Sequence, residues 1–282
     1  MKTLHLASEL RVTVDRWRAE GKTVALVPTM GNLHDGHLAL VAAARARADR
    51  VVVTIFVNPL QFGPNEDFGR YPRTLPDDIA KLEAAGVNLL WAPPVEEVYV
   101  NGYPPATTIT VAPIANELEG AFRPGFFTGV ATVVAVLFAS VRPDIAVFGE
   151  KDWQQLQIVR RMNEDLRFGI DIVGYPTARA ADGLALSSRN QYLSAQDRPR
   201  AAGLYAALKA VAAGIGAGRR DFTALCAEQV DVLAAAGFTP QYLEVRSPAL
   251  APAAAGDRAF VVLVAAVLGG TRLIDNLPVR LD

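Results

Sequence analysis

The stretch Thr23-Val24-Ala25-Leu26-Val27, followed by Pro28-Thr29-Met30-Gly31-Asn32-Leu33-His34-Asp35-Gly36-His37, decides the fold class of this chain. Its first five residues are a compact apolar run that stops at a proline, a pattern typical of a buried β-strand. An alanine-rich helical pattern then covers residues 36–48. The chain thus passes from a buried strand, through a short turn that contains glycine, into a helix.

The same alternation of strand and helix continues over the first two-thirds of the sequence. Compact apolar runs predict further strands at residues 51–57, 88–92, 145–148 and 170–173. Helical patterns cover residues 77–85, 129–141 and 153–166. Short strands that alternate with helices indicate a parallel sheet with helices on both faces. We therefore predict an α/β fold with a Rossmann-like, doubly wound parallel sheet, whose ligands bind beyond the carboxyl ends of the strands.

The pattern changes after about Pro176, where we predict a second, smaller α+β domain. Two helical stretches, at residues 197–213 and 221–236, are separated by a glycine-rich turn that contains Gly214, Gly216 and Gly218. Strands are predicted at residues 242–245, 259–267 and 271–274. The predicted domains are therefore residues 1–177 and residues 178–282.

Composition narrows the possible classes of function. The chain has 282 residues, a hydrophobic fraction of 51% and a formal net charge of -1. It can bury a large core, but it lacks the positive charge on which non-specific nucleic-acid binding relies. No window approaches the ~20 uncharged apolar residues of a membrane span, and no signal-peptide core follows Met1. The lone cysteine, Cys226, cannot form an intramolecular disulfide, which fits a reducing compartment. We expect a soluble, cytoplasmic protein that binds neither nucleic acid nor membranes.

The strongest motif is His34-Asp35-Gly36-His37, where the first strand gives way to a helix. Gly36 lets a ligand approach the backbone, and the N–H groups of a helix start attract anions. Two imidazoles that donate hydrogen bonds to phosphate oxygens would complete a triphosphate site. An exposed helix start and half of a zinc site are the alternatives, although the third histidine, His5, is distant in sequence. The His-x-Gly-His pattern in this position resembles the nucleotidylyl-transfer superfamily.

Two neutral polar residues, Asn58 and Gln61, follow the second strand of this alternation and are framed by apolar residues. Burying amides without partners is costly, so either the protein or a ligand must satisfy them. One interpretation is recognition of the hydroxyl and carboxylate of a small hydroxy acid. The other is a structural Asn-Pro turn with Gln61 bonded to the backbone.

Two further motifs are compatible with phosphate binding. Gly149-Glu150-Lys151-Asp152 follows a strand and begins a helix, where Lys151 would supply a positive charge and Gln155 would lie on the same face. Leu186-Ser187-Ser188-Arg189 follows the turn at Gly183 and suits a phosphate clamp. Taken alone, the second of these motifs is also typical of an ordinary polar loop.

The four motifs, in this order, resemble those of the pantoate–β-alanine ligases, also called pantothenate synthetases. Tyr71-Pro72-Arg73-Thr74 and Arg123-Pro124-Gly125 also resemble this family, and the resemblance covers residues 27–276. It implies ATP-dependent condensation of (R)-pantoate with β-alanine to pantothenate, through a pantoyl adenylate, with release of AMP and pyrophosphate. It also implies a homodimer and the use of Mg²⁺.

The resemblance assigns roles to individual residues. The ATP site would be lined by Met30, Gly31, Asn32, Leu33, His34, Asp35, Gly36, His37, Gly149, Glu150, Lys151, Asp152, Ala178, Leu186, Ser187, Ser188 and Arg189. Among these, His34, His37 and Lys151 would act in catalysis. The acid substrate would be bound by Gln61 and Gln155, with help from Asn58, and Mg²⁺ by Asp78 or Asp77. Residues 61–74, which include Asn65, would form a lid, and the second domain would close over the active site.

One position departs from the family pattern. Members commonly have Arg-Pro-Gly-His-Phe, whereas this chain has Phe126 in place of the histidine. We expect activity to be retained, because the ATP and pantoate motifs are intact. The rival functions are a related ligase with another acid and amine, a non-catalytic nucleotide-binding regulator, and a structural or RNA-binding protein.

Overall fold

The computed structural model describes residues 1–64 and 66–281. The chain forms two compact units: the first contains Met1–Glu150 and Ile158–Pro176, and the second contains Lys151–Gln157 and the described residues from Thr177 onwards. Residues 151–157, which the sequence placed in the first domain, group with the second unit. Asn65 of the predicted lid and Asp282 of the predicted second domain lie outside the described residues.

The described part of the first unit contains a six-stranded sheet in which every pairing is parallel. Its strands are β1 (Lys2–Leu4), β2 (Val24–Thr29), β3 (Arg50–Ile55), β4 (Leu89–Trp91), β5 (Ile145–Gly149) and β6 (Asp171–Tyr175). Their order in the sheet is β1-β4-β3-β2-β5-β6, so the chain runs outward from β2 in both directions. The predicted doubly wound α/β fold is therefore confirmed.

Helices and short 3₁₀ turns connect these strands. The helices are α1 (Ala7–Ala19), α2 (Asp35–Arg45), α3 (Leu75–Ala84), α4 (Val95–Val98), α5 (Glu119–Phe122), α6 (Phe126–Val141) and α7 (Trp153–Asp165), the last of which begins in the second unit. The 3₁₀ turns include Pro59–Gln61, Asp67–Arg70 and Glu150–Asp152. The β2 and β3 runs are almost entirely buried, as expected for strands covered on both faces. No helix among the described residues combines the length and the apolar character that crossing a membrane requires.

The strand β2 does not end at Pro28, as its sequence predicted, but extends to Thr29. Pro28 and Thr29 are in register with Thr54 and Ile55 of β3, whereas the ladder with β5 ends at Leu26. A proline has no N–H to donate, so it fits a strand only where one side lacks a ladder partner. At their carboxyl ends, β2 therefore continues with β3 alone, while β5 continues with β6 to Gly149. The carboxyl ends of β2 and β5, where the two strands no longer pair, are the position in a doubly wound sheet where ligands bind.

The second unit contains the predicted smaller α+β arrangement. An antiparallel sheet of β7 (Thr239–Arg246), β8 (Ala259–Leu268) and β9 (Thr271–Arg280) packs against α9 (Gly203–Gly216) and α10 (Phe222–Ala235), and the short helix α8 (Asp197–Arg200) precedes α9. Two details of the prediction were wrong. Gly214 and Gly216 lie inside α9, and only Gly218, with φ of 93°, lies in the turn. The strand predicted at residues 271–274 continues to Arg280.

Candidate active site

The turn between β2 and α2 brings His34 and His37 together. His34 caps α2, and its Nδ1 accepts a hydrogen bond from the N–H of Gly36 at 3.1 Å. The Nδ1 of His37 accepts from the N–H of His34 at 3.3 Å, and the two ring centroids lie 4.1 Å apart. Because both Nδ1 atoms accept, the proton of each neutral ring lies on Nε2. An Nε2–H is the kind of donor that a phosphate oxygen accepts.

The backbone just before His34 is held from α3. Gly31 and Asn32 both have left-handed φ angles, of 82° and 50°. The carboxylate of Asp78 accepts from the N–H of Asn32 at 2.9 Å and from that of Leu33 at 2.8 Å. Lys81, one turn further along α3, donates to the carbonyl of Leu33 at 2.7 Å.

These contacts decide how the two aspartates proposed for Mg²⁺ fit that role. Asp78 is 1% exposed, and both of its oxygens accept hydrogen bonds from the protein, including one from the Thr74 hydroxyl at 3.1 Å. It does not fit a magnesium ligand, because Mg²⁺ keeps several of its waters when it binds a protein. Asp77 is exposed and carries a carboxylate that does fit. Among the described residues, no group of three or more His, Cys, Asp or Glu side chains could hold a metal ion.

Asn58 and Gln61 form a buried amide network with Tyr99. Asn58 is 1% exposed, and its Nδ2 donates to Gln61 Oε1 and to the carbonyl of Gly129, both at 3.1 Å. Its Oδ1 accepts from the Tyr99 hydroxyl at 2.6 Å and from the N–H of Leu60 at 3.2 Å. All four hydrogen-bonding positions of the Asn58 amide are thus occupied by the protein. Protein groups thus satisfy the Asn58 amide, and its Nδ2 orients Gln61.

The Gln61 amide is oriented by this network. Its Oε1 accepts from Asn58, so its Nε2 is directed elsewhere and lies 3.0 Å from the sulfur of Met30. Sulfur is a weak acceptor, which leaves the amide N–H groups able to bind a stronger one. The same contact joins the turn after β3 to the histidine turn after β2. Two of the sequence motifs therefore meet within the first unit.

Phe126, at the position where the resemblance implies a histidine, packs beneath Arg123. The Arg123 guanidinium carbon lies 3.6 Å from the centroid of the Phe126 ring. Arg123 also donates to Glu66 at 2.8 Å, to Glu119 at 3.2 Å and to the carbonyl of Gln61 at 3.3 Å. A cavity of about 250 Å³ lies beside this cluster. Phe126 therefore supports the guanidinium by a cation–π contact, and no titratable ring is needed to hold it.

Lys151 and Gln155 belong to the second unit. Lys151 lies in the Glu150–Asp152 turn, its side chain is 19% exposed, and its Nζ is 3.8 Å from Asp152. The Asn276 side chain donates to the Lys151 carbonyl at 2.8 Å, which ties this turn to β9. Gln155 is half-buried in the first turn of α7. Gly149 and Glu150, which the same motif assigns to ATP, belong to the first unit.

The remaining predicted ATP residues lie in one hairpin of the second unit. The carbonyl of Ala178 accepts from the N–H of Leu186 at 2.9 Å, and Ser187 caps the 3₁₀ turn Ser188–Tyr192 that contains Arg189. Arg179 pairs with Asp275 through two hydrogen bonds of 2.6 and 2.9 Å and so fixes the base of the hairpin.

Sequence reasoning missed three residues that hold the predicted binding segments within their own units: Tyr99 and Lys81 in the first unit and Arg179 in the second. Tyr99 and Lys81 lie in unremarkable stretches and reach the site only through tertiary contacts. Arg179 is adjacent to Ala178, which was predicted. The sequence signal for Arg179 is the polar pair Asp275 and Asn276 inside an apolar strand pattern, because buried polar groups need hydrogen-bond partners.

The chain is similar to a family model, to curated relatives and to solved structures over nearly its whole length. It matches the family model described as pantoate-beta-alanine ligase over residues 2–278. A pantothenate synthetase from Pseudomonas putida strain KT2440 is 57% identical over an alignment of 283 positions that covers 100% of this chain and 99% of the relative. Another, from Azotobacter vinelandii strain DJ, is 56% identical over 99% of each chain.

Two solved structures are similar over nearly the whole chain. A crystal structure of pantothenate synthetase from Thermus thermophilus gives a TM-score of 0.91 at 48% identity, over 98% of this chain and 99% of that one. The second is the crystal structure of pantoate-beta-alanine ligase from Francisella tularensis, complexed with beta-gamma ATP and beta-alanine. Its TM-score is 0.83 at 32% identity, and the match covers 98% of this chain and 97% of that one.

Proposed function

The chain belongs to the pantoate–β-alanine ligase family, and we propose that its turn from Met30 to His37 binds the triphosphate of ATP in that family's reaction. The reaction is the ATP-dependent condensation of (R)-pantoate with β-alanine to pantothenate. The observation that carries the proposal is the pair of histidines at the start of α2, each with its Nδ1 fixed by a backbone N–H. With the two ring centroids 4.1 Å apart, the Nε2–H groups of both rings would donate to one ligand.

In the first step, a carboxylate oxygen of pantoate attacks the α-phosphorus of ATP, and pyrophosphate leaves with the electron pair of the broken P–O bond. The product is pantoyl adenylate, a mixed anhydride. His34 and His37 would donate their Nε2–H groups to phosphate oxygens as negative charge accumulates there. Donors fixed in advance stabilise a transition state more than a ground state, so they raise the rate.

Pantoate would be held by the amide of Gln61. Asn58 and Tyr99 fix the Gln61 oxygen, so the nitrogen is the atom presented to the substrate. An amide N–H is a suitable donor to the hydroxyl or carboxylate oxygen of a hydroxy acid. Gln155 would supply a second polar contact, as the resemblance implies.

From the second unit, Lys151 would neutralise phosphate charge, with Asp152 beside it in the same turn. Leu186, Ser187, Ser188 and Arg189 would clamp the phosphates, and the backbone of Ala178 would contact the adenine. We propose that this unit closes over the active site during the reaction. Closure would exclude water, which otherwise hydrolyses the mixed anhydride.

In the second step, the amine of β-alanine attacks the anhydride carbonyl, and AMP leaves with one oxygen that began in the pantoate carboxylate. No protein nucleophile is needed, so catalysis consists of positioning and charge stabilisation. The described residues of the predicted lid, between Gln61 and Thr74, lie next to the pantoate amide in sequence. We propose that the segment covers the anhydride while β-alanine binds.

Mg²⁺, a homodimer and a cytoplasmic location belong to the same proposal. Mg²⁺ bound to ATP would offset phosphate charge, and Asp77 is the exposed carboxylate that would hold it. The homodimer is proposed from the family resemblance. Sedimentation velocity would test the dimer directly.

The first test is pyrophosphate release with ATP, Mg²⁺ and pantoate alone, followed by AMP release when β-alanine is added. We expect one pyrophosphate per active site before β-alanine is added, and steady turnover afterwards. Pantoate labelled with ¹⁸O in its carboxylate should transfer one label to AMP. Folded protein that gives no pantoate-dependent pyrophosphate would contradict the proposal and indicate another acid substrate or a non-catalytic protein.

A further inference from the structure

We propose that Asp78 and Lys81 of α3 are positioning residues that brace the backbone of the phosphate-binding turn, and that Asp78 is not a magnesium ligand. The contacts of the brace are made entirely within the protein. Their consequence for ATP rests on the function proposed above. The brace is a pair of side chains three residues apart on one helix face, so a single helix sets the position of the turn.

Three protein donors bind the carboxylate of Asp78. A carboxylate offers about four lone-pair positions. Two are taken by the N–H groups of Asn32 and Leu33 and one by the Thr74 hydroxyl, all within 3.1 Å. With an exposure of 1%, the group has no open side on which a hydrated cation could approach.

Two successive N–H groups of the turn converge on the Asp78 carboxylate. Gly31 and Asn32 have φ of 82° and 50°, so two successive residues lie in the left-handed region. A turn whose successive N–H groups converge on one carboxylate forms a cradle for an anion. The side chain of Asp78 occupies this cradle. The N–H groups of Asn32 and Leu33 are therefore directed at Asp78 and are not available to phosphate.

Lys81 completes the brace from the other direction. Its Nζ donates to the carbonyl of Leu33 at 2.7 Å, so the peptide unit before His34 is held by a cation. Asp78 holds the N–H of the same residue at 2.8 Å. Leu33 is thus fixed at both polar atoms, which determines the direction in which the chain enters the His34 cap. A shift here would move both imidazoles together.

Neighbouring Asp77 provides a matched control. It lies in the same first turn of α3 and has the same side chain, but it is exposed, whereas Asp78 is buried. Substitution of either residue by asparagine removes one negative charge and keeps the shape. Only Asp78→Asn directs an amide N–H group toward the backbone N–H groups of the turn. The two variants therefore separate loss of the brace from loss of charge.

The first experiment measures amide hydrogen exchange of residues 31–34 in the ligand-free, metal-free protein. We expect Asp78→Asn to accelerate exchange at Asn32 and Leu33 by about tenfold or more, because an opening of the turn then costs less. Asp77→Asn should leave these rates within about twofold of the wild type. Unchanged rates in a folded Asp78→Asn protein would overturn the brace.

The second experiment compares kinetic constants for the pantoate-dependent pyrophosphate release. We expect Asp78→Asn and Lys81→Met to raise KM for ATP and to lower kcat, with KM for pantoate and the Mg²⁺ concentration for half-maximal rate unchanged. A large increase in that Mg²⁺ concentration for Asp78→Asn would identify Asp78 as a metal ligand and refute the proposal. If Asp78→Asn fails to fold, Lys81→Met is used for both the hydrogen-exchange and the kinetic measurement.

The two tests also separate this inference from the proposed function. If the wild-type protein releases no pyrophosphate with pantoate, the proposed function fails, yet the exchange measurement still decides whether the brace exists. If the wild type is active and the exchange rates do not change, the brace fails and the function stands.

Discussion

Tyr99 is the residue whose hydroxyl completes the amide network at the candidate pantoate site. It donates to Asn58 at 2.6 Å, and Asn58 in turn fixes Gln61. Burial, with a smaller effect from Tyr103, raises the pKa of the Tyr99 hydroxyl well above its ordinary value. The hydroxyl therefore stays protonated, and remains a donor, throughout the neutral and mildly alkaline range.

Tyr99→Phe should loosen the Gln61 amide without disturbing the ring packing. Loss of one net hydrogen bond of about 1–1.5 kcal/mol predicts a rise in KM for pantoate of about five- to tenfold. KM for ATP should not change, because the histidine turn is held separately by α3. Tyr103→Phe is the control, since that ring is 48% exposed and 6.0 Å from Tyr99. An equal effect of both variants on both KM values would contradict the prediction.

His37 and Lys151 test the catalytic assignment itself. Each is proposed to stabilise phosphate charge in the transition state. His37→Ala and Lys151→Ala should each reduce the rate of pyrophosphate release by about 100-fold or more, as loss of a preorganised donor does elsewhere. Circular dichroism should show both variants folded. His5→Gln, which changes a histidine outside the motif, is the control, and near-normal turnover in both test variants would remove the assignment.

At the scale of elements, the close approach of α6 to the Pro59–Gln61 turn positions Gln61. A Cβ on Gly129 would lie 2.4 Å from the carbonyl oxygen of Leu60 and 2.8 Å from the nitrogen of Gln61. These are backbone atoms that cannot move aside as a flexible side chain can. The carbonyl of Gly129 also accepts from Asn58. Glycine is therefore required here by contact and not by a special backbone angle.

Gly129→Ala should separate the helix from the turn. We expect a loss of about 1–3 kcal/mol in the free energy of unfolding, typical of overpacking. KM for pantoate should also rise, because the turn carries Gln61. Urea unfolding and pyrophosphate kinetics measure the two effects, with Ser140→Ala near the other end of α6 as the control. Wild-type stability and KM would show that the contact relaxes without cost.

The elements that the sequence predicted correctly are those with continuous apolar runs, such as β2, β3 and β8. The three-residue β1 was missed because its pairing with β4 depends on partners 87 residues away, beginning with Lys2 and Leu89. The strand β9 was predicted too short because Asp275 and Asn276 look like its end. Tertiary contacts with Arg179 and with the Lys151 carbonyl make their burial possible. A pattern within one segment cannot reveal partners of that kind.

In the candidate site, too, features within one segment were predicted and features that depend on tertiary contacts were missed. The motifs at Met30 to His37 and at Asn58 to Gln61 were found because both follow buried strands. The role of Asp78 was not found, because acids in a first helical turn are common and interact favourably with the helix dipole. Its contacts with the backbone of Asn32 and Leu33, about 45 residues earlier, become visible only in three dimensions.

At the scale of the whole molecule, the lone cysteine can report on the second unit. Cys226 is buried in α10, and burial, followed by the charge of Glu244, raises the pKa of its thiol to about 11. The folded state therefore favours the protonated thiol. This contribution to stability is complete below the unfolded pKa of about 8.5 and is lost as the pH rises toward 11.

The native thiol should therefore resist labelling. At pH 8, we expect a disulfide reagent to modify native Cys226 at least about 100-fold more slowly than free cysteine, because reagent access and thiolate fraction are both low. In urea, one thiol per chain should react, and Cys226→Ala should give none. Rapid labelling of the native protein would show that α10 opens readily.

The pairing of β2 with β5 has a consequence for the order of folding. Val24 contacts Asp144 across 120 residues of chain, whereas the partners of β2 on its other side begin at Arg50. Closing a longer loop costs more entropy, and non-local pairings form slowly. We therefore expect β2 to pair with β3 before it pairs with β5. The carboxyl ends of β2 and β5, next to the histidine turn, are then brought together late. A chain arrested before that step would retain strand content but not the ability to bind nucleotide. Nucleotide affinity is consequently a stricter criterion of correct refolding for this protein than its circular dichroism spectrum.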